Sequence, residues 1–200
     1  MVVHRSSEPS IVAASAGIER AEAALASGSI VAIPTESSYG LAVDATSERA
    51  LERLRRVKGR SADQFFVLLV DGPEMLSRYA VVGVGARALI AAHWPGPLTI
   101  VLPARDGLPK SLINDRGGVA FRHSSDAIAT GLVAAFGQPI TATSANVTGS
   151  PPAATAQSAL ITGVELALDG GERRGRASTV VELSGDAMTI LRDGPVVIDK

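Results

Sequence analysis

Lys58 and Arg60 stand on either side of Gly59, two cations at the end of a helical pattern. An ammonium and a guanidinium held this close together suit a clamp on a phosphate or carboxylate. A favourable interaction with the negative end of a helix dipole is the simpler account, and spacing alone leaves both open. Thr35 and Glu36 leave a short apolar run through Pro34, with Tyr39-Gly40-Leu41 just after. Arg122 follows another apolar run, at the end of a strand where ligand sites gather in open α/β sheets. A further feature is polar without charge. Between Asp126 and Glu165 there is no Asp, Glu, Lys or Arg, yet the segment contains Thr141-Ala142-Thr143-Ser144-Ala145-Asn146-Val147-Thr148-Gly149-Ser150. Such a stretch offers hydroxyls, an amide and backbone N–H groups to a neutral or anionic ligand, although a turn-rich connection would have the same composition.

The elements that must position these groups follow from periodicity. Apolar Ile18, Ala21, Ala24 and Leu25 share one helical face over 18–27, with Gly28 as a C-terminal cap. Residues 30–33 read as a short buried strand ended by Pro34. Thr46 or Ser47 caps a second helix with Ala50, Leu51, Leu54 and Val57 at helical spacing and Gly59 at its end. Residues 65–70 form a second buried strand, Asp71-Gly72 a turn, and Pro73 opens a helix. A helical pattern over 84–92, strands over 98–102 and 119–121, a helix capped by Ser125 and running to Phe136, and a strand over 138–142 come next. The end is strand-rich, over 165–168, 178–183 and 189–192. His93-Trp94-Pro95-Gly96-Pro97 reads as a rigid turn with a structural role.

Composition sets the outer limits. Apolar residues are 46% of 200 and charged residues 20%, which excludes intrinsic disorder. Glycine and proline number 20 and 11, a density that favours a loop-rich α/β or α+β fold over a helical bundle. A net charge of −1 provides no global field toward nucleic acid or anionic lipid. With no cysteine, disulfides, thiolate metal sites and thiol nucleophiles are out, and His4, His93 and His123 lack metal-ligand spacing. No phosphate loop, dinucleotide fingerprint or nucleophile elbow occurs. Neither a signal sequence nor a membrane-length apolar run is visible, so the expectation is one soluble, cytoplasmic domain over 1–200 with its core at 17–195.

Four motifs in order carry a resemblance. Pro34-Thr35-Glu36-Ser37-Ser38-Tyr39-Gly40-Leu41, Lys58-Gly59-Arg60, Trp94-Pro95-Gly96-Pro97-Leu98-Thr99 and Thr143-Ser144-Ala145-Asn146-Val147-Thr148-Gly149 closely resemble the YrdC-like family of threonylcarbamoyl-AMP synthases. Ser178-Thr179-Val180-Val181 and Ile190-Leu191-Arg192 are similar to its later segments. The resemblance implies a twisted, mixed open sheet with flanking helices and a concave ligand-binding face. It implies an enzyme that makes threonylcarbamoyl adenylate and pyrophosphate from L-threonine, bicarbonate and ATP, with Mg2+ brought by the nucleotide phosphates and no metal site on the protein. A threonylcarbamoyl-transferase complex would then modify tRNA, which this chain could also bind directly. By the same resemblance Lys58, Arg60, Ser144 and Asn146 are the catalytic set, Thr35, Arg122 and Thr179 hold threonine, and Lys58, Arg60, Ser144, Ser178 and Arg192 lie near the nucleotide.

The chain departs from the family pattern where Ser61 and Ser124 stand in place of prolines, and Gln64-Phe65-Phe66 is unusually apolar. Two rival readings therefore stand beside the first: an RNA-binding, translation-associated module without this activity, and a paralogue that adenylates a different carbamate. Replacing Lys58 or Arg60 by alanine is expected nearly to abolish adenylate formation with little change in stability, because charges at a helix end contribute little to folding.

Overall fold

The computed structural model describes residues 9–59, 66–147, 149–185 and 187–198. Helix α2 (Glu48–Lys58) shows how local signals build the fold. Ser47 Oγ accepts from Ala50 N at 3.3 Å to start it, and Gly59 ends it at a φ of 61°, a left-handed conformation that favours glycine. Its buried face is Ala50, Leu51, Leu54 and, one turn further on, Lys58. Val57, expected on that face, is half-buried, so the helix ends with a cation at a core position.

The strands divide between two mixed sheets rather than forming the single sheet expected. The first contains β1 (Ser10–Ala13), β2 (Val31–Pro34), β3 (Tyr39–Ala42), β8 (Thr143–Ser144) and β9 (Leu166–Asp169), in the order β1-β9-β2-β3-β8. The second contains β4 (Val67–Leu69), β5 (Leu98–Pro103), β6 (Gly118–Arg122), β7 (Ile140–Thr141), β10 (Thr179–Ser184) and β11 (Ala187–Arg192), in the order β11-β10-β5-β6-β4-β7. Both combine parallel and antiparallel pairs: β2 pairs parallel with β9 and antiparallel with β3, and β5 pairs parallel with β10 and antiparallel with β6.

The most direct crossing between the sheets runs from β7 to β8. β7 pairs with β4 in the second sheet, and two residues later β8 pairs with β3 in the first. Between them Ala142 N donates to Val67 O at 2.8 Å. Thr141 fastens the crossing from its side chain: its Oγ1 donates to Leu41 O and accepts from Val43 N, at 3.0 and 3.1 Å. The predicted strand at 138–142 is thus shortened and split by the change of sheet.

Helices α1 (Ala14–Ala26), α3 (Pro73–Tyr79), α4 (Val84–His93), α5 (Ala127–Phe136) and the short α6 (Ala156–Ala159) complete the fold, with α1 and α5 packed together against the first sheet. The cap of α5 is Asp126 rather than Ser125; its carboxylate accepts from Ile128 N and Ala129 N at 2.9 and 3.3 Å. β1, β3, β8 and α6 have no counterpart in the sequence reading. The turn at 93–97 is structural as expected: Trp94 Nε1 donates to Leu98 O and Gly96 N to His123 O, at 2.7 and 2.8 Å. Fully buried Leu51, Leu54, Leu41, Ile33, Leu68 and Phe121 belong to one continuous core, where truncating a leucine to alanine costs about 2–5 kcal/mol. Among the described residues no helix is long and apolar enough to cross a membrane.

Candidate functional site

A cavity of about 510 Å³ opens where the two sheets meet. β3 supplies Tyr39 and Gly40, the crossing supplies Ala142, Thr143 and Ser144, and Arg122 enters from the end of β6. The segment 170–178, between β9 and β10, passes along the other side and adds Arg173, Arg174 and Ser178, beside Arg192 from the end of β11. Among the described residues the wall carries four arginines and no carboxylate. Its chemistry is that of an anion site.

Arg122 is only 6% exposed. Burial pushes its guanidinium below the ordinary value, while Glu36 opposes that shift and nearby Arg192 adds to it. Glu36 Oε1 lies 3.3 Å from Arg122 Nη1, and Glu36 Oε2 accepts from the buried hydroxyl of Ser124. Ser124 Oγ also accepts from Asp126 N at 3.2 Å. The departure at Ser124 therefore places a donor behind the carboxylate that orients Arg122. Arg122 Nε, Ser37 Oγ and Thr143 Oγ1 are buried on the cavity wall without a hydrogen-bond partner among the described residues. Orphaned polar atoms cost about 1–3 kcal/mol each unless a ligand or water satisfies them, and here three belong to residues that line one cavity.

The sequence-derived site residues fall into three groups. Thr35, Arg122, Ser144, Ser178 and Arg192 line the cavity. The Thr35 hydroxyl is largely committed to its own turn, donating to Ser38 O at 2.8 Å and accepting from Ser37 N and Ser38 N. Arg192 grips Ser178, with Nε to Ser178 O at 2.9 Å and Nη2 to Ser178 Oγ at 3.0 Å, and burial lowers its pKa. Ser178 Oγ also meets Thr99 Oγ1 at 2.8 Å.

Lys58, Asn146 and Thr179 are placed differently. Lys58 is 0% exposed and does not line the cavity. Its Nζ donates to Ser144 O, to Asn146 O at 2.6 Å and to Asn146 Oδ1 at 2.9 Å, with Ser144 Oγ at 3.4 Å. Lys58 and Asn146 are brought together with Ser144 as a strut behind the cavity wall. This corrects the helix-end expectation: a fully buried ammonium with this many acceptors bears on stability. The hydroxyl of Thr179 turns to Val196, donating to its O at 2.8 Å and accepting from its N at 3.0 Å, and Thr179 is not on the wall. Arg60 and Ser61 lie outside the described residues.

Sequence reasoning missed Ser37 and Thr143, hidden inside motifs read for their neighbours. It also missed Arg173 and Arg174, although 170–176 reads Gly-Gly-Glu-Arg-Arg-Gly-Arg, a cluster of cations among glycines. No group of three His, Asp or Glu able to hold a metal occurs among the described residues.

The two-sheet architecture and the arginines on the cavity wall define an α/β protein with a cavity suited to an anion at the junction of its sheets. The chain belongs to the Sua5/YciO/YrdC family, described as telomere recombination, whose model matches residues 23–194. It is 35% identical over 182 residues to the threonylcarbamoyl-AMP synthase of Xanthomonas campestris, covering 88% of this chain and 97% of that protein. Among solved structures it is similar to P. abyssi Sua5 complexed with L-threonine, at 35% identity and a TM-score of 0.84, over 88% of this chain and 54% of that one. E. coli YciO aligns at 27% identity and a TM-score of 0.80, over 89% of each chain.

Proposed function

We propose that this chain is a threonylcarbamoyl-AMP synthase, a nucleotidyltransferase serving tRNA modification. The observation that carries the reading is a cavity lined by Arg122, Ser37 and Thr143, each with a buried polar atom unpartnered among the described residues, whose wall has four arginines and no carboxylate among those residues. A buried guanidinium suits a carboxylate and paired hydroxyls suit a hydroxyl, the two polar ends of L-threonine. The named relatives support the same substrate: one is a threonylcarbamoyl-AMP synthase and one is a structure complexed with L-threonine. Residues 17–195 act as one domain in this reading, in keeping with a core that draws on both sheets.

In the reaction, the amine of threonine forms a C–N bond to the carbon of bicarbonate, a C–O bond breaks and water leaves to give a carbamate, and a carbamate oxygen attacks the α-phosphorus of ATP. The P–O bond to the β-phosphate breaks and pyrophosphate leaves with its electron pair. Two anions must meet, so catalysis rests on placing them and neutralising their charge. Arg122, oriented by Glu36, holds the threonine carboxylate, with Ser37, Thr143 and Thr35 around its hydroxyl. Ser144, Ser178 and Arg192 lie along the nucleotide, joined from the segment after α2 by Arg60. Lys58 and Asn146 act through Ser144, whose backbone they hold. Magnesium comes with the phosphates, and no step depends on a protein ligand to it. The adenylate passes to a threonylcarbamoyl-transferase complex acting on tRNA.

The test is pyrophosphate release by the purified chain with ATP and Mg2+. Release should require both L-threonine and bicarbonate. Serine should work about 10–200-fold less well, the range for one methyl group, and the analogue lacking the hydroxyl worse still. Arg122→Lys should raise the threonine KM at least about tenfold, because an ammonium cannot fork onto a carboxylate. Turnover with a different amine, or with bicarbonate alone, would replace this reading with the paralogue. No turnover with any amine, together with retained tRNA binding, would replace it with an RNA-binding module.

A further inference from the structure

The segment 170–178 is held over the cavity at several points. Its start is fixed by the buried Tyr39 hydroxyl, which accepts from Gly170 N at 3.1 Å and donates to Gly171 O at 2.8 Å. Its middle is fixed twice, by Arg173 N donating to Ala154 O at 2.8 Å and by Arg173 Nη2 and Nε on Asp126 Oδ2 at 2.9 and 3.1 Å. At Gly175 the backbone lies so close to residues 36 and 37 that a Cβ there would sit 2.2 Å from Glu36 O. Arg174 stands between the last two anchors, so its backbone is fixed while its side chain stays 77% exposed at the cavity rim.

The partners of the wall arginines differ in kind. Arg122 faces Glu36 and Arg173 faces Asp126, carboxylates whose side chains are 15% and 7% exposed. Arg192 is bonded to Ser178. Arg174 is paired with Glu172, at 2.6 Å from Nη2 and 2.7 Å from Nε, and that carboxylate is 53% exposed. An ion pair exposed on both sides is weak and screened, so it exchanges readily for a better anion. A single carboxylate does not outcompete the one already present, whereas a phosphate group brings more charge and more acceptor oxygens.

We propose that Arg174 is a phosphate-binding residue, contacting the polyphosphate of the nucleotide, with Glu172 as the counter-ion it gives up on binding. Arg173 and Gly175 position the segment that carries it. The inference rests on the adenylating activity proposed above and adds to it a contact supplied by this chain's own Gly-Gly-Glu-Arg-Arg-Gly-Arg run.

Calorimetric titration of the full chain with pyrophosphate, with a non-hydrolysable ATP analogue and, separately, with L-threonine tests it. Arg174→Ala should weaken pyrophosphate and analogue binding about tenfold, as expected for one lost charge-assisted contact, and should flatten the salt dependence. Arg174→Lys should recover part of the loss. Glu172→Gln should tighten both ligands about two- to fivefold, and that gain should vanish when Arg174 is already alanine. Threonine affinity should be unchanged throughout. Pyrophosphate binding that is the same in wild type, Arg174→Ala and Glu172→Gln would overturn the assignment while leaving the synthase reading intact. So would an equal loss of threonine affinity in Arg174→Ala. A wild-type chain that binds neither pyrophosphate nor the ATP analogue would overturn the synthase reading and this contact with it.

Discussion

Replacing Lys58 by methionine isolates the strut behind the cavity. Methionine keeps an unbranched stem of similar reach and removes the ammonium, which in the protein is fully buried and donates to Ser144 O, Asn146 O and Asn146 Oδ1. Two backbone carbonyls then lose a charged donor, at about 1–3 kcal/mol each. Part of that is recovered because an ammonium no longer has to be desolvated, and Ser144 and Asn146 are half-buried and can take up water. A net loss of about 2–4 kcal/mol remains, equivalent to roughly 5–15 °C in Tm for a chain of this size. Calorimetric melting measures the loss, and amide exchange should show faster opening at 143–147 than in the α1–α5 pair. Adenylate formation per folded molecule should also fall, because the displaced segment carries Thr143 and Ser144 on the cavity wall. A variant that melts within about 1 °C of wild type would refute this account and restore the helix-dipole explanation.

Two further predictions read the neighbourhood of Arg122. Ser124→Ala removes the donor that steadies Glu36, so the threonine KM should rise about three- to tenfold with kcat largely kept, and Ser124→Thr should recover most of it; steady-state kinetics separate this from a general loss of structure. His123 has its pKa lowered from 6.5 by burial, against the pull of Asp71 and Glu36. The unfolded chain therefore binds this proton more readily than the folded one, so the contribution is complete above about pH 6.5 and is lost as pH falls from there through the folded pKa. Melting between pH 7.5 and 5.5 should show a decline that is shallower in His123→Gln, and parallel curves would exclude His123 as its source.

How much was legible follows from where each interaction lies along the chain. Helix α2 could be read because its signals are local: Ser47 caps it, Ala50, Leu51 and Leu54 recur at helical spacing, and Gly59 releases it. The strands β2, β4, β5 and β10 could be read for a related reason, since buried strands require apolar runs whatever their partners. Motif order then brought in the family, and with it Thr35, Arg122, Ser144, Ser178 and Arg192, which do line one cavity. β3 and β8 could not be read, because strands as short as Tyr39–Ala42 and Thr143–Ser144 exist only where a partner strand satisfies their backbone. The destination of Lys58 was equally hidden. A lysine at a helix end reads as solvated, and only acceptors 86 and 88 residues away turn it into a buried strut. Ser37, Thr143 and Arg174 gained their places in the same way, by the meeting of two sheets and by Gly175 passing over residues 36 and 37. Periodicity and capping are properties of neighbours in the chain, whereas the direction a polar side chain faces is set by what packs against it, and for this cavity the packing comes from segments more than a hundred residues apart.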